Sequence, residues 1–321
     1  MTKQSVICVV GPTAVGKSDV AVDIALRYGG EVISADSMQV YRGMDIGTAK
    51  LSRAEQRGVP HHLLDVVDPT ESYTVAAWKR AADEVIEALC NRGKLPVVCG
   101  GTGLYIRAIT DDLTFAEKPE TSEVRQRWQN YVEQHGVEAL HRALREVDEA
   151  SANRLHPNDV KRVIRALEVA ETSGRPLSQG YDFTEKSGRY NVLLIGLWME
   201  RQALYERVEL RIDKMIEAGL EDEVKRLLQA GATAEDTSLQ AIGYKEFVQY
   251  FRGECSLEET IAAIKQNTRR FVKRQLSWFR RDARIQWFER TVDGQFAAGE
   301  AARMWRTIHD FVEGKNQVGH E

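Results

Sequence analysis

The chain has 321 residues, of which 43% are hydrophobic and 29% are charged, and its formal net charge is −4. These values suit a globular protein of roughly two domains with a sizeable core. No apolar run approaches the ~18 residues that cross a bilayer, and no leader pattern is present, so we expect a cytoplasmic protein with no membrane contact. The four cysteines do not stand at metal-ligand spacing, which favours reduced thiols over a zinc site.

An octapeptide near the N-terminus carries the strongest chemical signal. An apolar run at 6–10 leads into Gly11-Pro12-Thr13-Ala14-Val15-Gly16-Lys17-Ser18, and a helical pattern follows from about residue 17 to residue 28. Strand, Gly-x4-Gly-Lys-Ser and helix in this order predict a P-loop, in which backbone amides and a helix N-terminus hold two linked phosphates. Lys17 supplies a cation, and the Ser18 hydroxyl is a ligand for Mg²⁺. An ordinary glycine-rich turn would need neither side chain, so we predict that residues 11–18 bind a diphosphate.

Two further apolar strands, at 31–36 and 95–99, end in polar residues. The first ends at Asp36, and the second runs into Gly100-Gly101-Thr102-Gly103. Ligands of open parallel sheets bind beyond the carboxyl ends of the strands, so we expect Asp36 and Thr102 to meet the P-loop in one crevice. Asp36 could ligate Mg²⁺ or act as a general base, and the plainer interpretation is a turn-capping Asp. The glycines would let a ligand approach the backbone, and Thr102 offers a hydroxyl donor.

The character of the chain changes in its middle. Charged helical patterns replace the apolar strands between 115 and 187, a buried strand returns at 192–197, and helical patterns continue over 200–290. This order predicts an α/β fold with a P-loop NTPase-like parallel sheet covered by helices. We expect residues 1–114 and 188–321 to form this core with a helical C-terminal region, and residues 115–187 to form a helical insertion domain.

Basic residues are concentrated near the C-terminus. Between residues 261 and 290 there are nine basic residues and two acidic ones, Asp282 and Glu289. This window is read as a helix that carries Arg270, Lys273 and Arg274 along one side. A solvated helix normally mixes both signs, so the imbalance favours contact with a polyanion such as a nucleic-acid backbone. Lys161, Arg162 and Arg165 form a second basic group within the insertion.

Two classes of function fit these observations. A P-loop kinase would use Asp36 as the base for an acceptor hydroxyl and would bind ATP. However, no second apolar strand ends in the acidic residues typical of an ATPase magnesium site, and a small-molecule kinase has no use for the basic helix. A transferase acting on RNA, with the P-loop holding a diphosphate leaving group, explains both the loop and the helix.

The ordered series of motifs resembles the bacterial tRNA dimethylallyltransferase family over almost the whole length. The matching segments are 11–18, 34–41, 42–50, 60–65, 100–105, 158–167, 206–220 and 240–245. The chain departs from the family pattern at Lys161, where Gln is usual, and at Leu51, where Pro is common. Neither departure touches the expected chemistry.

The resemblance implies transfer of a dimethylallyl group from dimethylallyl diphosphate to N6 of the adenosine just 3′ of the anticodon in tRNA. Asp36 would then be the general base, Thr102 would contact the bridging oxygen, and Lys17, Arg211 and Mg²⁺ would stabilise the diphosphate, with Arg207 as the alternative arginine. The insertion would hold the anticodon arm, and the protein is expected to be a monomer. The implied tRNA-binding residues are Asp36, Ser37, Met38, Gln39, Thr102, Arg125, Lys161, Arg162, Arg165, Gln240, Ala241, Ile242, Gly243, Tyr244, Lys245, Arg270 and Arg274.

Overall fold

The strands of the chain form one parallel sheet, in a computed structural model that describes residues 3–113, 115, 122–174, 176–180 and 188–314. The strands are β1 (Ser5–Val10), β2 (Glu31–Ser34), β3 (His61–His62), β4 (Pro96–Gly100), β5 (Asn191–Met199) and β6 (Gln286–Arg290). Within the described ranges the sheet has six strands in the order β3-β2-β4-β1-β5-β6, and the neighbouring strands that pair are parallel. The predicted α/β class is confirmed.

Helices connect and cover the strands. In chain order they are α1 (Lys17–Tyr28), α2 (Val75–Asn91), α3 (Gly103–Thr110), α4 (Ser122–Val147), α5 (Glu149–Arg154), α6 (Val160–Ser173), α7 (Leu177–Gly180), α8 (Arg201–Glu217), α9 (Leu220–Gln229), α10 (Tyr244–Phe251), α11 (Leu257–Phe279) and α12 (Glu300–Val312). Local sequence sets several ends. Gly29 closes α1 in the left-handed conformation with φ 64°, and Ser256 with Glu259 forms a capping box at the start of α11.

The core lies where apolar strands meet the helices. Residues 6–10 of β1 are fully buried, as expected for a central strand covered on both faces. Trp78 of α2 donates its indole N–H to the Ser34 carbonyl at 2.9 Å and stacks on Tyr105 of α3 with ring centroids 4.4 Å apart. These contacts fix both helices against the end of β2, next to Asp36.

Close contacts divide the chain into two units, Met1–Thr110 with Arg189–Glu321, and Asp111–Gly188. The second unit has its own apolar cluster around Leu140, Leu144, Val163 and Leu167, to which α4 and α6 contribute. The helix α4 is interrupted at Gly136, whose φ of 80° and ψ of 170° are not helical. The predicted insertion, 115–187, falls within this unit. The predicted end of the first core segment, 114, and the predicted end of the insertion, 187, lie outside the described residues.

The predicted helical region over 200–290 is wrong at its end. Helix α11 stops at Phe279, and Arg284 then bonds Asp282 in a turn. Residues 286–290 form β6, which pairs in parallel with β5. Aromatic residues such as Trp287 and Phe288 favour a strand over a helix. Arg280, Arg281 and Arg284 therefore do not extend the basic face of α11, and Arg290 belongs to the sheet.

Candidate active site

The ends of β1, β2 and β4 meet as predicted. The amide of Ala35 donates to the Cys99 carbonyl at 2.8 Å, and the amide of Thr102 donates to the Ala35 carbonyl at 3.2 Å. The Thr102 hydroxyl accepts from the Ser37 amide at 3.1 Å. The Asp36 carboxylate accepts from the Met38 amide at 2.9 Å, which fixes its orientation. A carboxylate and a hydroxyl are thus held side by side beyond the sheet.

Residues 11–18 form the turn between β1 and α1 that the P-loop pattern predicts. Gly11 has a φ of 143°, and a Cβ there would lie 2.5 Å from the Leu197 carbonyl oxygen. Only glycine fits this position, because both the backbone conformation and the neighbouring strand exclude a side chain. Gly16 precedes the first turn of α1 with a φ of 90°. Val15 is buried in the core and anchors the loop.

Lys17 lies under the loop. Its ammonium donates to the Pro12 carbonyl at 2.7 Å, so the side chain curls back towards the backbone turn. Burial lowers the pKa of Lys17 to about 8, while the neighbouring charges of Arg211 and Asp36 act in opposite directions. The site therefore holds a lysine whose charge is sensitive to its ligand.

Two arginines of α8 flank the loop, one turn apart on the same helix face. The Arg211 guanidinium donates to the Thr13 hydroxyl at 3.4 Å, and burial lowers its pKa while Asp36 opposes that effect. Arg207 donates to the Ala14 carbonyl at 3.0 Å and to the Val292 carbonyl at 2.8 Å. Arg207 thus binds backbone atoms, whereas Arg211 faces Asp36 through the cavity that both line.

Two cavities meet at this point. The first, here called the P-loop cavity, has a volume of about 980 Å³ and is lined by Lys17, Ser18, Asp19, Lys50 and Arg207 among others. The second, the Asp36 cavity, has a volume of about 320 Å³ and brings together Asp36, Ser37, Met38, Thr102, the segment 240–245 and Arg274. Ala14, Arg211 and Met215 line both. Arg211 therefore stands at the boundary between the P-loop residues and the Asp36 carboxylate.

The glycines after β4 serve helix packing. A Cβ at Gly101 would lie 2.3 Å from the Gln275 amide nitrogen, and one at Gly103 would lie 2.2 Å from the Trp278 ring. The expectation that a ligand approaches these glycines is corrected, because side chains of α11 take that space. Thr102, between them, still lines the Asp36 cavity.

Gln275 of α11 was missed by the sequence reasoning. It accepts from the Thr13 amide at 2.9 Å and donates to the Gly101 carbonyl at 3.0 Å. The Thr13 amide of the P-loop is therefore already bonded within the protein. The available signal was position, because Gln275 falls on the buried face of α11 together with Val272 and Phe279.

The segment 240–245 has a mixed role. Its residues line the Asp36 cavity, and Lys245 is partly exposed beside Glu246 at 3.6 Å. Tyr244, by contrast, has no exposed surface, and its hydroxyl donates to Glu223 at 2.6 Å. The expectation that Tyr244 contacts RNA stays a prediction, although burial against Glu223 leaves its side chain little surface for that contact. Gln39 is similarly engaged, since its side-chain amide donates to the Thr48 carbonyl at 3.2 Å.

The basic residues of helix α11 lie on two sides of the helix, one that forms ion pairs and one that is exposed. Lys265 pairs with Asp213 at 2.6 Å, and Arg269 pairs with Glu209 of α8. The residues that remain exposed on the helix are Arg270, Lys273 and Arg274, here called the α11 basic stripe. The excess charge seen in the sequence is thus concentrated on one exposed face next to the Asp36 cavity, which Arg274 lines.

The basic residues of the second unit are partly paired. Arg125 and Arg165 both donate to the buried Glu168 at 2.9 Å. Arg162 lies 3.2 Å from Asp159, with most of its side chain exposed, and Lys161 is exposed beside it. Arg125 of α4 therefore holds α4 to α6, and Arg165 pairs with Glu168 within α6. Lys161 and Arg162 offer the more accessible charges.

A metal ion would find few protein ligands here. Within the described residues no group of three His, Cys, Asp or Glu side chains is arranged to hold a metal. Ser18 and Asp19, at the start of α1, both line the P-loop cavity. A hydroxyl and one carboxylate suit a hard cation that takes its other ligands from phosphate and water. Among the described helices, none is both long and apolar enough to span a membrane.

Proteins similar to this chain are found both among known sequences and among solved structures. The family model of IPP transferase matches residues 39–282. A tRNA dimethylallyltransferase of Bacillus cytotoxicus is 45% identical over 316 residues, covering 98% of this chain and 97% of the relative. Among solved structures, the full-length tRNA isopentenylpyrophosphate transferase of Bacillus halodurans aligns with a TM-score of 0.70 and 43% identity, covering 98% and 97% of the two chains. A eukaryotic dimethylallyltransferase acting on tRNA aligns with a TM-score of 0.84 and 29% identity, covering 97% of this chain and 80% of that one.

Proposed function

Because the chain belongs to the IPP transferase family, we propose that it transfers the dimethylallyl group of dimethylallyl diphosphate to N6 of the adenosine 3′ to the anticodon in tRNA, releasing diphosphate. The alternative of a P-loop kinase has no support among these relatives. The observation that carries the proposal is the Asp36 cavity, which places a carboxylate, the Thr102 hydroxyl and Arg211 directly beside the P-loop. A base and a diphosphate site in contact are what this transfer requires.

The reaction forms a bond from N6 to the first carbon of the dimethylallyl group and breaks the bond from that carbon to the diphosphate oxygen. An exocyclic adenine amine is a weak nucleophile, and it gains strength as it loses a proton. Asp36 takes that proton. Its carboxylate is held by the Met38 amide on one oxygen, so its orientation is fixed before the substrate arrives. The adenine must leave its base stack to reach this position.

The negative charge of the reaction develops on the leaving diphosphate. Lys17 and Arg211 supply cations beside it, and the amides at the N-terminus of α1 supply hydrogen-bond donors. The Thr102 oxygen accepts from the Ser37 amide, and its hydroxyl donates to the Ser37 hydroxyl at 3.4 Å. On substrate binding the Thr102 proton would turn from this long bond to the bridging oxygen of the diphosphate. Preorganised donors of this kind stabilise a departing anion without reorganisation cost.

Mg²⁺ is the metal that we expect on the diphosphate. Ser18 and Asp19 would hold it from the protein side, since both line the P-loop cavity. When bound, such an ion supplies Lewis-acid stabilisation of phosphate charge.

Two basic regions would hold the RNA. The α11 basic stripe next to the Asp36 cavity suits phosphate contacts of the anticodon arm. Lys161 and Arg162 provide exposed charges on α6 of the insertion, which Arg125 joins to α4 through Glu168. We propose a monomer, because residues of one chain form both the P-loop cavity and the Asp36 cavity. A cytoplasmic location is proposed from the tRNA substrate.

A labelling experiment tests this function. The protein is incubated with dimethylallyl diphosphate labelled in the prenyl group, with and without tRNA, and in parallel with labelled ATP. We expect label in tRNA only from the prenyl donor. ATP turnover without prenyl transfer would establish the kinase instead.

The Asp36→Asn variant tests the base. Its carbonyl oxygen can keep the Met38 hydrogen bond, but an amide cannot accept the N6 proton. We expect kcat to fall about 10²–10⁴-fold with tRNA affinity within about twofold of wild type. Asp23→Asn on α1, which removes a carboxylate paired with Arg57, is the matched control. An Asp36→Asn variant that retains full transfer would remove Asp36 from the mechanism.

A further inference from the structure

Glu223 of α9 is an acidic residue at a buried position, where an apolar side chain would be expected. Only 2% of its surface is exposed, and it shares the apolar face of the helix with Leu220, Val224 and Leu227. An ionised carboxylate in such a place is costly unless hydrogen bonds surround it. Its partners therefore show what it does.

The Glu223 carboxylate binds three consecutive backbone amides. Oε2 accepts from Asp45 at 3.0 Å and from Ile46 at 2.8 Å. Oε1 accepts from Gly47 at 3.1 Å and from the Tyr244 hydroxyl at 2.6 Å. Four donors on two oxygens compensate the buried charge and convert it into a fixed attachment point for the segment 45–47.

The same segment is held from its other end. Lys50, whose side chain is only 6% exposed, donates to the carboxylates of Asp45 and Asp65 at 2.6 Å and to the Tyr41 carbonyl at 3.1 Å. A Cβ at Gly47 would lie 2.5 Å from the Tyr244 ring, so the ring packs directly on the backbone. Residues 45–50, here called the wall segment, form a turn with backbone hydrogen bonds of its own, from Ala49 to Ile46 at 3.0 Å and from Lys50 to Asp45 at 2.9 Å. The contacts of Glu223 and Tyr244 fix where this turn lies.

The wall segment borders both cavities. Asp45, Ile46 and Lys50 line the P-loop cavity, and Gly47 and Thr48 line the Asp36 cavity. Tyr244 in turn belongs to the segment 240–245 of the Asp36 cavity. The bonds of Glu223 thus join the wall segment to the part of the chain that faces the acceptor.

We propose that Glu223 is a positioning residue, which fixes the wall segment as the common boundary of the donor and acceptor cavities and so sets their spacing. The kinetic effects expected of this inference rest on the proposed function. Its structural part rests only on the contacts of Glu223. Glu223 itself lines neither cavity, so it acts through the partners that do. Displacement of a boundary by about 1 Å can cost about 10²-fold in rate.

The Glu223→Gln variant tests the proposal. Whichever way the amide turns, its NH₂ group replaces an oxygen that accepts two hydrogen bonds. We expect the exchange of the Asp45, Ile46 and Gly47 amides with deuterium to quicken, and kcat/KM for both substrates to fall about 10–100-fold, as for other supporting residues of sites. Both measurements use the full-length protein at a temperature well below its unfolding midpoint.

Glu31→Gln is the matched control. Glu31 is also a buried glutamate, but it lies at the start of β2, where it accepts from His62 at 2.7 Å and from Arg92 at 3.4 Å, at the opposite end of the strand from Asp36. We expect this variant to lose some stability and to keep kcat/KM within about twofold of wild type. Tyr244→Phe keeps the ring on Gly47 and removes one of the four bonds, so its effect should be intermediate and its fold intact.

Separate outcomes distinguish the positioning role of Glu223 from the proposed function of the protein. Unchanged amide exchange at 45–47 and unchanged kcat/KM in Glu223→Gln would overturn the positioning role, as would an equal loss of activity in Glu31→Gln. If the wild-type protein transfers no prenyl group to tRNA, the proposed function fails. The amide exchange and the affinity for inorganic pyrophosphate, measured in wild type and Glu223→Gln, still decide whether Glu223 positions the wall segment.

Discussion

At the scale of single residues, Lys17 shows how the fold adjusts a charge for its ligand. Burial brings its pKa to about 8 in the free protein, so a rise in pH through that value removes the ammonium charge. A bound diphosphate favours the charged form and raises the pKa again. Binding of the donor is thereby coupled to the uptake of a proton at alkaline pH.

This coupling predicts a pH dependence of donor binding. We expect the KM for dimethylallyl diphosphate to rise between about pH 7 and about pH 9, because Lys17 loses its proton over this range in the free enzyme. Lys17→Arg, whose guanidinium stays protonated, should show a flatter profile even if its KM is higher throughout. The test is steady-state kinetics across the range at saturating tRNA. The same rise in both proteins would assign the titration to another group.

The residues that the sequence did and did not reveal differ in what they bind. Asp36, Thr102 and Lys17 follow strands or sit in a motif, so position along the chain identifies them. Glu223 and Gln275 bind backbone amides from distant segments, and those partners are unknown until the fold brings them together. The only local signal was an acidic or amide side chain on the apolar face of a helix. This signal identifies the residue as unusual, but it does not predict which groups the residue binds.

At the scale of elements, α11 contacts the P-loop with one face and exposes basic residues on the other. Its buried face reaches the P-loop through Gln275, and its exposed face carries the basic stripe. Both faces follow from helical periodicity, which the sequence shows. The sequence does not show where α11 ends. The turn at Asp282 and the strand β6 depend on the pairing of β6 with β5, and the paired residues are about ninety positions apart in sequence.

The basic stripe predicts a salt-dependent interaction with RNA. We expect the Arg270→Glu, Arg274→Glu double variant to bind tRNA more weakly, and the slope of log affinity against log salt to fall by about 0.7–0.9 for each phosphate that the arginines neutralise in the wild type. Binding is measured by filter retention across a salt series, and Arg306→Glu on α12 serves as the control for a change of charge. An unchanged slope would make the stripe a solvated face that binds no phosphate.

At the scale of the whole molecule, the division into two units predicts separable stabilities. Leu144 is fully buried in the apolar cluster of the second unit, so Leu144→Ala should cost that unit about 2–5 kcal/mol. We expect amide exchange to quicken across residues 122–174, tRNA affinity to fall, and pyrophosphate affinity to stay unchanged. Leu204→Ala, in α8 of the first unit, should instead quicken amide exchange in the first unit and weaken pyrophosphate binding. Weaker pyrophosphate binding in Leu144→Ala would mean that the units unfold together.

The strand order also bears on the synthesis of the chain. The central strand β1 pairs with β4 and β5, and the turn that follows it is held by Arg207, Arg211 and Gln275. These three residues follow the second unit in the sequence, so they leave the ribosome only after the whole second unit has been synthesised. During translation the nascent chain therefore exposes an unpaired, apolar β1 edge for most of its length, a state in which chaperone binding protects against aggregation. The diphosphate site, although its motif is made first, is among the last parts of the protein to become functional.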